Sequence, residues 1–475
     1  MAREIKVDLC VIGAGPGGIA LARQARALGA SVVLVDGDGT GGTPLHWGGL
    51  AAGALAASAR RAQEVRTARR LGIETYPPDI EFSRITARTR EVLDASAPDN
   101  AEAILAAEGI EVIGHDGAFT GRRSLLAGET LIRARRFVIA TGAATPRPEI
   151  AGIDAVPYLT PETASGLTEA PEHLLIHGGG PVALMLAQAY LRLGCAVTLV
   201  DPGDPLSDAD PELADIVMRR LRAEGLALRT NTSLTAVSTS AEGLRAHLRA
   251  GADETTVSGS HLLIAPERVP QVESLSLRRA GVRMNGPAPA VGRSLRTSNW
   301  RIYCIGDALG GFSSVAAARY QARMVADRVL GFSLERLDPR RIPVLVHTDP
   351  QIGWVGLGEG AARRRYKGKS VLLRQPVADL SLARLSGHTE GVVKVVAGPG
   401  GRIVGAGVAG TDVADLLAFL ALAIDTRMTI DHLARAIPPH PAHAEALAGL
   451  AETWRRSFPP RPLARPLAAL RRVLP

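Results

Sequence analysis

The residues best suited to chemistry in this chain are glycines. Gly13, Gly15 and Gly18 fall in the run Gly13-Ala14-Gly15-Pro16-Gly17-Gly18, after a strand-like apolar stretch from Lys6 and before a helical pattern through Leu28. A G-x-G-x-x-G turn in that position lets backbone N–H groups approach a pyrophosphate lying on the helix N-terminus. A second strand pattern, Ser31 to Val35, ends in Asp36. An acid about twenty residues beyond the turn accepts hydrogen bonds from ribose hydroxyls. Strand, turn, helix, strand and acid in that order predict a bound dinucleotide. The unit recurs as His173 to His177, Gly178-Gly179-Gly180-Pro181-Val182-Ala183, a helix to Leu193, and Ala196 to Val200 ending in Asp201. Ala183 takes the third glycine position, an accepted variant. A carboxylate at Asp201 repels a 2′-phosphate, and no arginine immediately follows it, so NAD is favoured over NADP.

Two further segments place small residues at strand ends. Arg136 to Ala140 runs into Thr141-Gly142, and Ile302 to Ile305 runs into Gly306-Asp307. Each reads as a buried strand ending on a turn suited to close approach by a cofactor. From about Arg341 the pattern changes to alternating strands, Gly353 to Gly356, Val392 to Ala397 and Ile403 to Val408, followed by an apolar helix from Val413 to Ile424. That texture predicts a separate α+β domain.

The 475 residues are enough for about three domain-sized cores. No apolar run approaches the roughly 18 residues of a membrane-spanning helix. Met1 to Lys6 carries charges and leads straight into a strand, which argues against a signal peptide. The three cysteines, Cys10, Cys195 and Cys304, sit in apolar segments with no metal-ligand or C-x-x-C spacing. They predict no disulfide scaffold, no bound metal and a reducing, cytoplasmic location. The formal charge of +8 resides mostly in the tail, where Arg455, Arg456, Arg461, Arg465, Arg471 and Arg472 occur without an acid. The body is left near neutral, and basic residues are not interleaved with aromatics along it, so no nucleic-acid partner is expected.

In chain order, the quoted motifs are joined by Gly41-Gly42-Thr43 with Trp47-Gly48, Thr297-Ser298, Thr348-Asp349-Pro350 with Trp354-Val355-Gly356, and His440-Pro441 with Glu445. Over more than 400 residues this series resembles the pyridine nucleotide-disulfide oxidoreductases, the group of dihydrolipoamide dehydrogenase, mercuric reductase and soluble transhydrogenase. The resemblance implies an α/β fold with two Rossmann-like dinucleotide-binding domains and a C-terminal α+β dimerisation domain. It places an FAD-binding domain at 1–150, completed by a central part at 271–340. An NAD(P)-binding domain follows at 151–270 and a dimerisation domain at 341–454, leaving a Pro/Arg-rich tail at 455–475. It implies FAD on the first fold, held through Gly13, Gly15, Gly18, Asp36, Gly42, Thr43, Ala140, Thr141, Gly142, Gly306 and Asp307, with Asp307 at the ribityl chain. NAD(P)H would lie on the second fold, at Gly178, Gly180, Ala183 and Asp201, and the protein would be a homodimer.

The departures from the family pattern carry the functional argument. Members with a redox disulfide have cysteines where this chain has Pro44 and Gly49. Without a thiolate beside the flavin the family's disulfide exchange has no nucleophile. Gly53 and Met185 stand where the family has a lysine and the glutamate that pairs with it, so neither charge is left stranded. Ala265-Pro266-Glu267-Arg268 replaces an A-T-G-R segment, and Pro181 replaces the side chain that gates the nicotinamide pocket. His440 and Glu445 match the acid/base pair that the family supplies from the partner subunit, although Pro438 replaces an earlier histidine. His46-Trp47 is similar to a motif of soluble transhydrogenases, with flavin-side packing as the other reading of His46.

Three functions are compatible with these residues. The first is an FAD enzyme that uses NAD(P)H, with NADH favoured, to reduce a small acceptor without a disulfide, such as a quinone or a second pyridine nucleotide. The second keeps FAD but acts on another organic substrate, with His440 as acid or base. The third is a flavin-binding scaffold or redox sensor without turnover. The tail reads either as a dock for an anionic membrane surface or acidic partner, or as a solvated extension.

Overall fold

The computed structural model describes residues 3–37, 48–96, 101–240, 243–311, 314–331 and 333–458. It divides into two compact units. The first comprises 1–67, 75–205 and 224–338, and the second 68–74, 206–223 and 339–475. The segment Leu206–Ala223, which lies inside the second dinucleotide-binding stretch of the sequence, therefore packs as part of the C-terminal unit.

The first unit contains β1 (Arg3–Ile12), α1 (Pro16–Ala27), β2 (Val32–Val35), α2 (Gly48–Thr67), β3 (Glu111–Ile113), β4 (Gly117–Gly121), β5 (Ser124–Ala127) and β6 (Thr130–Ile139). These are followed by β7 (His173–His177), α3 (Pro181–Arg192), β8 (Ala196–Val200), β9 (Ala227–Arg229), β10 (His261–Ile264), β11 (Ile302–Cys304) and α4 (Val315–Leu330). The first sheet runs β3-β2-β1-β6-β5-β4. The amino-terminal half of β6 pairs antiparallel with β5, while its carboxyl end, Phe137 to Ile139, pairs parallel with β11. β1, β2, β6 and β11 are thus parallel and end at one edge.

Strand alternation explains why both faces are covered. Leu9 and Val11 point to one side and pack with Leu21, Ala22 and Ala25 of α1 and Met324 and Val325 of α4. Cys10 and Ile12 point to the other, among Phe119, Phe137 and Leu277. A strand buried on both faces reads as the continuous apolar run seen in the sequence. Each such side chain contributes on the order of 1.5–3 kcal/mol by leaving water.

The second sheet, β9-β8-β7-β10, is parallel throughout and repeats the arrangement with α3 after β7. A three-stranded antiparallel meander, Ser233–Ser240, Gly243–Ala250 and Asp253–Gly259, adjoins it in sequence. Arg192 at the end of α3 makes a two-pronged pair with Glu224, at 2.9 and 2.6 Å, with both side chains at 7% exposure or less.

The C-terminal unit is built on an antiparallel sheet of β12 (Val344–Val346), β13 (Gln351–Gly356), β14 (Val371–Pro376), β15 (Val392–Ala397) and β16 (Ile403–Gly410), in the order β12-β13-β16-β15-β14. Val393, Val395 and Val408 pack with Leu416, Leu417 and Leu420 of α5 (Ala414–Asp425) and Leu447 and Leu450 of α6 (Glu445–Ser457). Lys394, alternating with Val393 and Val395, is buried all the same. Its ammonium donates to both Asp210 oxygens at 2.8 and 2.7 Å and lies 3.1 Å from Glu212, which also pairs with Arg374. This charge cluster fastens the Pro211–Ala223 helix to the sheet of its own unit. Among the described residues no helix is long and apolar enough to cross a membrane.

Removing one member of a buried pair strands the other. Arg192→Met is expected to destabilise the first unit by about 3–5 kcal/mol. The double variant with Glu224→Gln should recover part of that loss, as read by urea unfolding.

Candidate active site

The carboxyl edge of the first sheet is a cradle of bare backbone. Gly13 follows β1 with φ +109°, a conformation that favours glycine, and a Cβ there would stand 2.4 Å from the Ala140 carbonyl oxygen. A Cβ on Gly18 would lie 1.9 Å from the Gly13 carbonyl oxygen. Gly15 caps α1 without any side-chain hydrogen bond, so the helix presents its first N–H groups outward. Asp36 follows β2, its N–H donating to the Ile113 carbonyl at 3.0 Å.

Two more of the expected segments arrive at the same edge. Ala140, Thr141 and Gly142 follow β6, with Gly142 at φ +73°. The Thr141 hydroxyl is buried and has no partner among the described residues, a polar atom in want of a ligand. Gly306 and Asp307 follow β11, and the Gly306 N–H donates to the buried Gln321 side chain at 2.7 Å. The structure therefore brings Gly13, Gly15, Gly18, Asp36, Ala140, Thr141, Gly142, Gly306 and Asp307 to the ends of adjacent parallel strands. This is where open α/β sheets bind ligands, and the donors, orphaned hydroxyl and absent Cβ atoms fit a dinucleotide. Gly42 and Thr43, with Pro44, His46 and Trp47, lie outside the described residues.

The same edge holds a residue that the sequence presents only as part of an altered segment. Arg268 donates to an Asp307 oxygen at 2.8 Å and to the Ala143 carbonyl. Burial pushes its guanidinium down, and the Asp307 and Glu162 carboxylates oppose that shift. No spacing rule links positions 268 and 307. The pairing of Ala143–Ala144 with Val269–Pro270 is what brings them together.

The second turn repeats the first with one difference. A Cβ on Gly178, at φ +114°, would stand 2.2 Å from the Ala265 carbonyl oxygen, whereas Gly180 has open space beside it. Asp201 accepts from the Gly203 N–H at 2.7 Å and lies next to Gly179, whose added Cβ would be 2.8 Å from its Oδ2. Ala183 is buried in the first turns of α3, where it closes the packing of helix on strand. His177, at the end of β7, has its imidazole pushed down by burial, against the pull of Asp201 and a backbone bond with Val200.

Helix α2 is open at the two positions where the family resemblance implies a cysteine and a lysine. Gly49 and Gly53, one turn apart, both have clear space around an added Cβ. Met185 is buried in α3, which packs on α2. All three cysteines are buried. Burial raises the thiols of Cys10 and Cys304 well above their ordinary range and pushes Cys195 up to about 11. They are protonated, packed thiols without nucleophilic character.

In the C-terminal unit, His440 and Glu445 do meet. His440 Nδ1 lies 3.0 Å from Glu445 Oε1, which also accepts from the Ala442 N–H at 2.9 Å. Burial alone would raise the Glu445 carboxyl. The hydrogen bonds from Ala442 and Ser381 and the nearby His440 outweigh it and hold the group below its usual range. The carboxylate is thus an anion at neutral pH that fixes one ring nitrogen, leaving Nε2 outward on a side chain 72% exposed.

Residues 7–322 match the pyridine nucleotide-disulphide oxidoreductase family, and residues 342–451 match the dimerisation domain of the same family. The chain belongs to this family. As a member of it, the protein is a flavoprotein that uses FAD and NAD(P)H and carries a C-terminal dimerisation domain. Its relatives include the mercuric reductase of Streptomyces lividans, 33% identical over 458 residues that cover 94% of this chain and 96% of the other. The dihydrolipoyl dehydrogenase of Bacillus subtilis is 28% identical over 449 residues, 93% of this chain and 97% of the other. Among solved structures, the HOCl-induced flavoprotein disulfide reductase RclA of Escherichia coli superposes with TM-score 0.82 at 26% identity, covering 94% of this chain and 99% of that one. LpdA of Mycobacterium tuberculosis gives 0.86 at 25% identity, covering 94% and 100%.

The two glycine turns make contrasting predictions. Gly18→Val drives a side chain into the Gly13 carbonyl, and the purified protein is expected to lose its flavin absorbance. Gly180→Ala meets no protein atom, so melting should be unchanged while NADH binds about tenfold more weakly, about 1.4 kcal/mol, by titration calorimetry.

Proposed function

We propose that this family member is an FAD-dependent oxidoreductase in which NAD(P)H, with NADH favoured, reduces a small acceptor other than a disulfide. A quinone or a second pyridine nucleotide fits best. The observation that carries this reading is the placement of the thiols. The only three cysteines of the chain are buried, while the positions of the family's cysteine pair hold Pro44 and Gly49. A disulfide substrate is reduced by way of a thiolate, and this chain has none to offer at α2.

The bound flavin supplies a two-electron relay that serves nucleotide and acceptor in turn. The chain's own residues then have three tasks. Asp201 and the Gly178 turn orient the nucleotide by its adenosine end, with the carboxylate selecting a free 2′-hydroxyl. Gly49 and Gly53 leave space along α2, and the loss of the lysine–glutamate pair at Gly53 and Met185 makes that wall apolar, which suits a quinone ring. Reduction of a quinone to a quinol consumes two electrons and two protons. Nucleotide and solvent supply them, and the His440–Glu445 pair is the proton carrier that the family resemblance implies. Reduction of a second pyridine nucleotide needs only the hydride.

The geometry of His440 also supports a second reading, in which it acts as acid or base on another organic substrate. Its Nδ1 is fixed by an ionised Glu445 and its Nε2 faces outward, an arrangement that works without a thiol.

Anaerobic titration with NADH and then NADPH, followed at the flavin's visible band, separates these readings. The dehydrogenase reading expects rapid bleaching, faster with NADH, and reoxidation by quinones or a second pyridine nucleotide. A flavin that dithionite reduces but neither nucleotide bleaches would sink it. Iodoacetamide on the folded enzyme is expected to leave turnover unchanged, because no thiol is exposed or ionised. Inhibition that tracks alkylation would point to a cysteine in the chemistry.

A further inference from the structure

The strand ends of the first sheet are joined by one cation. β6 and β11 lie parallel and adjacent, and each ends in a cofactor-side turn: Thr141-Gly142-Ala143 after β6, Gly306-Asp307 after β11. The last backbone bond between the two strands runs from the Ile305 N–H to the Ile139 carbonyl at 2.9 Å, and past it a side chain ties the two turns together. Arg268 supplies it. One Nη donates to Asp307 Oδ2 at 2.8 Å and the other to the Ala143 carbonyl. Its own backbone is held beside the first turn, since Val269–Pro270 pairs with Ala143–Ala144 and Gln271 N–H donates to the Gly142 carbonyl at 3.0 Å. The guanidinium is therefore anchored at its base and spans both turns at its tip.

The charges around it are unequal. Asp307 faces Arg268 directly, and Glu162, which accepts from the Thr145 hydroxyl at 3.2 Å, is a second carboxylate acting on the same guanidinium. With Arg268 in place the cluster is one negative charge in excess, and without it two. Arg268 and Asp307 are each 28% exposed at their side chains, so the pair lies at the mouth of the site and not in the packed core. The buried Thr141 hydroxyl, still unpartnered among the described residues, marks the same edge as one that receives a ligand.

We propose that Arg268 is a positioning residue for the flavin. It clamps the two strand-end turns at the spacing the cofactor needs, holds one oxygen of Asp307 so that the other faces the ligand, and neutralises a carboxylate that would otherwise oppose electron uptake. The proposal rests on the first sheet being the FAD site. It concerns binding and reduction potential, whatever the acceptor proves to be.

The test uses the full-length holoprotein. FAD affinity is measured on reloading the apoprotein, and the midpoint potential by equilibration with dithionite and a reference dye, so neither reading depends on NADH or an acceptor. Arg268→Met is expected to weaken FAD about tenfold or more. It should also shift the bound flavin about tenfold toward the oxidised form, roughly 30 mV more negative for two electrons. Arg268→Lys keeps the charge but not the fork. It should retain the wild-type potential while losing affinity. Adding Asp307→Asn to Arg268→Met removes the bare carboxylate and should return most of the potential. Wild-type affinity and potential in Arg268→Met would overturn the proposal. So would lost affinity with an unchanged potential, which would reduce Arg268 to a structural tie. Should Arg268→Met fail to fold, the same potential in Arg268→Lys and a more negative one in Arg268→Gln support the proposal, and equal potentials in both refute it. Absence of FAD from the wild-type protein would instead count against the cofactor site itself.

Discussion

A dinucleotide can reach the end of a parallel strand only where nothing projects from the backbone, and this constraint shapes the first unit. At Gly13, Gly18 and Gly178 the gaps to neighbouring carbonyls are too small for a methyl group. The turns are therefore closed by main chain packed on main chain. That close packing aligns α1 on β1 and α3 on β7, leaves the helix N-termini uncapped by side chains, and makes them receptive to phosphate. The apolar strands behind the turns, buried on both faces, give the rigid base from which such close approach is possible.

The three thiols lie in the core, where burial keeps them protonated, and α2 offers open space at Gly49 and Gly53. His440 and Glu445 meet in the C-terminal unit, with Glu445 ionised and oriented by backbone as well as by Ser381. The nucleotide turns and the His440–Glu445 pair are thus both present in a chain whose three cysteines are all buried.

Charge performs a different task in each unit. Lys394 in the C-terminal sheet meets Asp210 and Glu212 and ties a helix borrowed from an earlier part of the sequence into that unit. Arg192 and Glu224 close the end of α3. Arg268 and Asp307, more exposed than that pair, tie the turns that follow β6 and β11. Buried pairs of the first two kinds favour a particular arrangement of chain because breaking them strands a charge.

The sequence by itself determined the two glycine turns, the acids that end their second strands, the apolar runs behind them and the absence of a cysteine pair. These are local: a turn needing bare backbone can be met only by glycine, and alternating or continuous apolar runs report which faces are buried. It also brought out His440 and Glu445, five residues apart, through their family resemblance. Tertiary structure alone decided the rest. Arg268 meets Asp307 across 39 positions because a two-residue strand pair joins their neighbourhoods. Leu206–Ala223 packs with the C-terminal unit, where Lys394, far along the chain, pairs with Asp210 and Glu212. Such long-range meetings have no periodicity to read, since they depend on where sheets and turns place side chains once the whole chain has folded.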